Sequence, residues 1–140
     1  MRRLPPLAIA VTALVLVDLV GGLLAVAFGV NTWAEAWGSR ALLAAPLPMI
    51  AAQVLLAWLA LRRTTNGAVV AAGLLAAACS VSVVSGFFDG GIGNDELGRG
   101  LSAYQGLLLA VTATVGVLAL VRCVEVRRGG RAGTSRSAAR

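Results

Sequence analysis

The sequence predicts an all-α, polytopic integral membrane protein, an up-down bundle of four transmembrane helices. Three observations lead there. Of the 140 residues, 59% are hydrophobic and only 13% are charged, and the mean hydropathy is +0.87, which leaves too little polar surface to cover a soluble domain. Four apolar runs, at about 7–30, 41–61, 68–88 and 101–121, each reach about 21 residues or more, enough at about 1.5 Å per residue to cross the roughly 30 Å hydrocarbon core. The basic residues, all arginine, cluster at alternate ends of these runs.

Lipid offers the backbone no hydrogen-bond partner, so each run should be helical, and short loops make neighbours antiparallel. The chain divides into a transmembrane domain, 1–123, and a small, polar, basic tail, 124–140, with no apolar face to order it. Span one begins after Arg2 and Arg3. "MRR", an apolar stretch and "AVA" at 25–27 also resemble a cleavable signal peptide, but the apolar region exceeds a signal core and Asp18 interrupts it.

Between spans one and two, Trp33 and Trp37 lie four apart and Thr32 with Glu35 spells a capping box. One helical turn puts both indoles on a single face, an amphipathic segment suited to the outer leaflet. Span two contains Pro46 and Pro48, which are expected to kink its outer half. Trp58 marks its inner end; Phe87, Phe88 and Tyr104 mark the outer ends of spans three and four.

Arginine sets the orientation. Arg2, Arg3, Arg62, Arg63, Arg122, Arg127, Arg128, Arg131, Arg136 and Arg140 fall on one side, Arg40 and Arg99 on the other. Both termini should therefore be cytoplasmic. Arginine as the sole basic residue beside abundant Ala, Gly and Val suggests a GC-rich bacterial genome, hence the bacterial plasma membrane. The net charge of +6 reads as attraction to anionic lipid rather than to nucleic acid.

"GGIGNDELG", residues 90–98, matches a calcium-binding nonapeptide. That site needs stacked copies and this chain has one, so a flexible outer turn is expected and no metal or cofactor. Histidine is absent, and Cys79 and Cys123 are single and distant, which removes histidine bases, imidazole-ligated haem and C-x-x-C redox chemistry. With no lysine, no G-x-S-x-G and no dinucleotide fingerprint either, an enzyme is not expected.

Asp18 is the acid deepest in an apolar run, about eleven residues or 16 Å from the inner boundary. Such a residue faces a bundle interior or a water-filled path. Gly21, Gly22, Ala25 and Gly29 follow on its face as a small-residue seam; Ala78, Ser82 and Gly86 in span three and Gly106, Ala110 and Thr114 in span four make two more. Gln53, Cys79, Ser80, Ser82, Thr112 and Thr114 lie at similar depth, so a protonated Asp18 is expected to donate to Gln53 or a serine.

Two functions follow. In the first, the chain is an accessory or structural subunit whose small-residue faces bind its own copies or a larger membrane partner. In the second, Asp18 couples proton or cation movement in a small transporter or channel. Four short spans with an acid in the first are architecturally similar to the small multidrug resistance transporters. That family's oppositely oriented subunits call for a weak arginine bias, and the strong bias here argues against an antiparallel dimer and leaves a parallel oligomer open.

Overall fold

The computed structural model describes residues 5–38, 41, 43–62, 66–88 and 99–137, with side chains as far as Gly129. Four helices follow in chain order: α1 Pro6–Ala27, α2 Leu47–Arg62, α3 Asn66–Phe88 and α4 Arg99–Ser137. Three of them, α1, α3 and α4, are long and apolar enough to cross a membrane. The fourth, α2, has 16 residues, about 24 Å by helical rise, short of the roughly 30 Å core.

α1 starts where Pro5 and Pro6 set an extended cap and a first helical residue that needs no donor. It stops at a Schellman motif: Val30 N–H bonds Ala25 O at 2.8 Å, Gly29 N–H bonds Val26 O at 3.1 Å, and Gly29 holds φ +68°. The seam expected to run on through Gly29 therefore ends earlier. Gly29 is exposed and terminates the helix instead of packing.

α2 begins six residues later than the apolar run suggests. Pro46 and Pro48 are not kinks inside a helix. They belong to its start, where Pro46 O accepts Met49 and Ile50 N–H and a missing proline N–H costs nothing. Ahead of it, residues 28–38 and 43–46 form an irregular segment with Ala36, Leu43 and Ala44 buried. Irregular backbone at membrane depth is tolerated where it is covered by protein.

α4 continues as helix through Ser137, past residue 123, where the composition changes to small, polar and basic. Residues 99–137 contain no proline to stop it, and extending an existing helix avoids the cost of a new nucleus. The "GGIGNDELG" turn lies outside the described residues.

Helix α1 packs on α2 and α4, and α3 packs on α2 and α4; α1 and α3 occupy opposite corners. Across α3 and α4 the pairs Gly86 with Leu109, Cys79 with Gly116, and Val69 with Cys123 run in opposing directions. One core gathers Leu7, Val11 and Leu14, Ala57 and Ala60, Ala71, Ala72 and Leu75, and Val115 and Ala119. Small residues dominate it, so helix backbones approach closely. Large apolar side chains such as Leu16, Leu23, Leu74, Val81, Phe88, Leu107 and Leu120 point outward, the distribution expected where lipid, not water, is the solvent.

Candidate functional site: a polar cavity around Asp18

The core fills the end of the bundle near Arg62. The other end holds a cavity of about 270 Å³ lined from all four helices and from Ala41, Ala44, Ala45 and Pro46. Its polar lining is Asp18 on α1, Gln53 on α2, Ser82 and Ser85 on α3, and Gln105 and Thr112 on α4, set among apolar side chains including Leu14, Met49 and Leu108.

Helical spacing explains these positions. On α1 the buried stripe Leu7, Val11, Leu14, Asp18, Gly21, Gly22, Ala25 repeats every three or four residues, which fixes Asp18 inward. Gln53 belongs to the stripe Ile50, Gln53, Ala57, Ala60 on α2. Gln105 and Thr112 lie seven apart on α4 and so share a face. Asp18, Gln53 and Gln105 are 1%, 4% and 8% exposed.

Asp18 Oδ1 accepts the Ala45 N–H at 2.8 Å. Asp18 acts as an acceptor from the backbone, where the sequence suggests a donor to Gln53 or a serine. Ala45 immediately precedes the cap of α2, so the carboxyl group also sits where the helix dipole favours negative charge. Asp18 is nine residues, or about 14 Å of rise, from the Ala27 end of α1. The irregular segment before α2 reaches down to that depth.

The small residues beside Asp18 make this descent fit. A Cβ on Gly21 would collide with the Leu43 carbonyl oxygen, and one on Gly22 with the Trp37 indole. The Trp37 carbonyl in turn accepts Leu47 N–H at 3.1 Å. Trp37 thus packs inward on α1 while Trp33 stays exposed, their rings 5.5 Å apart. At the expected capping box, Thr32 N–H and Oγ1 both donate to Glu35 Oε2 at 3.1 and 2.7 Å, and Glu35 N–H goes to the Thr32 carbonyl. Tyr104, expected as an interface anchor, donates its hydroxyl to Val17 O and braces α4 against α1.

Other positions separate clearly. Gln53, Ser82 and Thr112 line the cavity with Asp18. Ser82 Oγ lies 4.0 Å from Met49 Sδ and Thr112 Oγ1 donates to Leu108 O at 2.8 Å. Ser80 does not join them: it is exposed on another face of α3 and donates to Ala76 O. Gly86 packs on Leu109 and Ala78 is half-buried, whereas Gly106 and Ala110 face outward, with nothing near a Cβ built on Gly106. Gln105 was missed by the reading of depth alone; its seven-residue offset from Thr112 is the signal that finds it.

Three oxygens of cavity-lining residues lack partners. Asp18 Oδ2, Gln53 Oε1 and Gln105 Oε1 are all buried without a hydrogen-bond partner. Unpaired acceptors of this kind are costly. Among the described residues no basic side chain lines the cavity, and no group of acids and thiols could hold a metal ion.

Fold and site together define a small helical protein with three apolar helices of membrane-crossing length and a buried acid at their centre. The chain matches no known protein family, no curated protein and no solved structure.

Proposed function

We propose that the chain is a small proton- or cation-coupled transporter or channel of the bacterial plasma membrane, with Asp18 as its coupling carboxylate, and not an enzyme. The observation that carries this reading is a buried acid with one unpartnered oxygen, Asp18, on the lining of the same cavity as Gln53 and Gln105. An acid that served only to join helices would spend both oxygens on protein donors; Asp18 spends one.

In this reading α2 crosses the membrane together with the irregular segment ahead of it, which completes an up-down bundle of four spans. The arginine distribution supports a cytoplasmic position for the start of α1, the α2–α3 turn and the end of α4. Reconstituted into liposomes, the protein should carry protons or monovalent cations down an imposed gradient. Flux no faster than in protein-free liposomes would sink the proposal.

The accessory-subunit reading comes second. Its support is a groove of about 530 Å³ between α3 and α4 lined by Gly73, Ala76, Ala77, Ala113 and Gly116, small residues that let another helix approach. Against it, the Gly21–Ala25 seam is filled by Leu43, Trp37 and Tyr104 of the same chain. Cross-linking after gentle extraction tests this reading, and a lone monomer would count against it.

A further inference from the structure

We infer that a second cavity, at the Arg62 end of the bundle between the start of α1, the end of α2 and α4, binds the headgroup of phosphatidylethanolamine, a phospholipid carrying one phosphate and one primary ammonium. The inference uses the apolar, membrane-crossing character of the helices and is independent of any role for Asp18.

Placement gives the first argument. The cavity measures about 240 Å³, with Leu7, Leu61, Leu118 and Val121 on its apolar side and Arg122 and Glu125 on its polar side. Along α4 the lining passes from apolar to charged within about one turn, as a bilayer passes from acyl chains to headgroups.

The second argument is how the two charges are held. Arg122 Nε donates to Ala60 O at 3.4 Å, in the last turn of α2, which fixes the guanidinium beside the cavity. Its Nη1 stands 3.8 Å from Glu125 Oε2, too far for a hydrogen bond. No described residue accepts a hydrogen bond from Nη1 or Nη2. The two side chains are 28% and 62% exposed, so both charges can be reached from outside.

Charge complementarity gives the third argument. Arg122 and Glu125 are the charged residues among the described lining, one of each sign. The start of α1 and the end of α2 add the positive and negative ends of two helix dipoles. A phosphate can take the guanidinium's free N–H donors while the ammonium donates to the carboxylate, both bonds being charge-assisted. A phosphatidylglycerol head satisfies Arg122 only and is repelled by Glu125; a phosphatidylcholine head has no N–H to give it.

Other arginines crowd this end. Arg62 lies over the Trp58 ring, 4.5 Å from its centroid, Arg127 and Arg128 are exposed further along α4, and none of the three lines the cavity. Arg2, Arg3, Arg63 and the arginines after Gly129 lie outside the described side chains. Such a collar attracts anionic lipid to the leaflet as a whole. The paired charges in the cavity select the zwitterion.

The full chain, delipidated in detergent, is titrated with short-chain phosphatidylethanolamine, phosphatidylcholine or phosphatidylglycerol, and bound lipid is counted by native mass spectrometry. One phosphatidylethanolamine should bind about 5-fold tighter than phosphatidylcholine, the contribution of a partly exposed ion pair. Glu125→Gln, at an exposed position where folding is undisturbed, should erase that preference and leave phosphatidylcholine binding unchanged. Arg122→Gln should weaken phosphatidylethanolamine by about 10-fold, and Arg127→Gln should leave it unchanged.

A preference for phosphatidylethanolamine that survives Glu125→Gln overturns the inference. Phosphatidylglycerol binding tighter than phosphatidylethanolamine, and tighter still in Glu125→Gln, overturns it in favour of an anionic headgroup. Unsaturable uptake of all three lipids alike, a surrounding belt only, overturns it as well. Asp18 lies toward the other end of the bundle, so each of these results leaves the transport proposal to its own test.

Discussion

The Asp18 carboxylate accepts the Ala45 N–H at 2.8 Å across 27 positions of sequence. Through that bond an acid in α1 holds down the irregular segment that starts α2, and its other oxygen, Oδ2, is buried with no hydrogen-bond partner. On the transporter proposal, a structural and a functional role reside in different oxygens of one side chain.

Those two roles separate by mutation. Asp18→Asn keeps an oxygen for Ala45 N–H, whereas Asp18→Ala leaves that amide without its partner. Asp18→Ala should lose about 1–3 kcal/mol more stability than Asp18→Asn, the cost of a buried donor left unsatisfied. Thermal or chemical unfolding in a mild detergent measures the difference. Equal losses would show that the bond does not anchor the segment.

The glycines of α1 and α4 should respond oppositely. Gly21→Ala forces its new methyl group against the Leu43 carbonyl, and overpacking of this kind costs about 1–3 kcal/mol. Gly106→Ala meets open space and gains helix propensity, so it should raise stability by up to about 1 kcal/mol. Unfolding midpoints of the two variants check this. A neutral Gly21→Ala would mean that the segment carrying Leu43 does not pack on α1.

Gly29 is a conformational requirement rather than a packing one. Its φ of +68° makes Gly29→Ala unfavourable by about 1–2 kcal/mol, and Gly29→Asn, which tolerates the left-handed region better, should lose less. Hydrogen exchange at Val30, whose amide bonds Ala25 O, would report the loosened helix end directly.

Reporter fusions test the orientation. A fusion following α4 should be active only in the cytoplasm, and one placed within residues 89–98 only outside, as the arginine bias requires. Reversed activities would overturn the four-span arrangement.

Much of this architecture was legible in the chain, and the exceptions share a cause. The apolar runs locate all four helices because hydropathy registers the solvent directly, and the helical repeat turns Asp18, Gln53 and Thr112 inward together. Hydropathy cannot distinguish a residue buried by lipid from one buried by protein. Leu43 and Ala44 therefore read as the start of span two, although they are covered by α1 as part of an irregular segment. The prolines at 46 and 48 hold the correction, since both suit a helix start better than its interior. Ser80 shares the depth of Ser82 but not its direction, because two residues along a helix is about 200° of rotation. Gln105 sits close to the start of α4, where a count of depth places it near the interface and draws attention away from its buried face.

The central claim is that the free oxygen of Asp18 takes part in ion movement, and the most direct test is dissipation of an imposed pH gradient by liposomes containing the wild type, Asp18→Asn or Gly29→Ala. The account predicts a flux in the wild type that Gly29→Ala retains, because its strain lies away from the cavity, and that Asp18→Asn reduces to the protein-free rate while remaining folded. An Asp18→Asn variant that moves protons as fast as the wild type would contradict it.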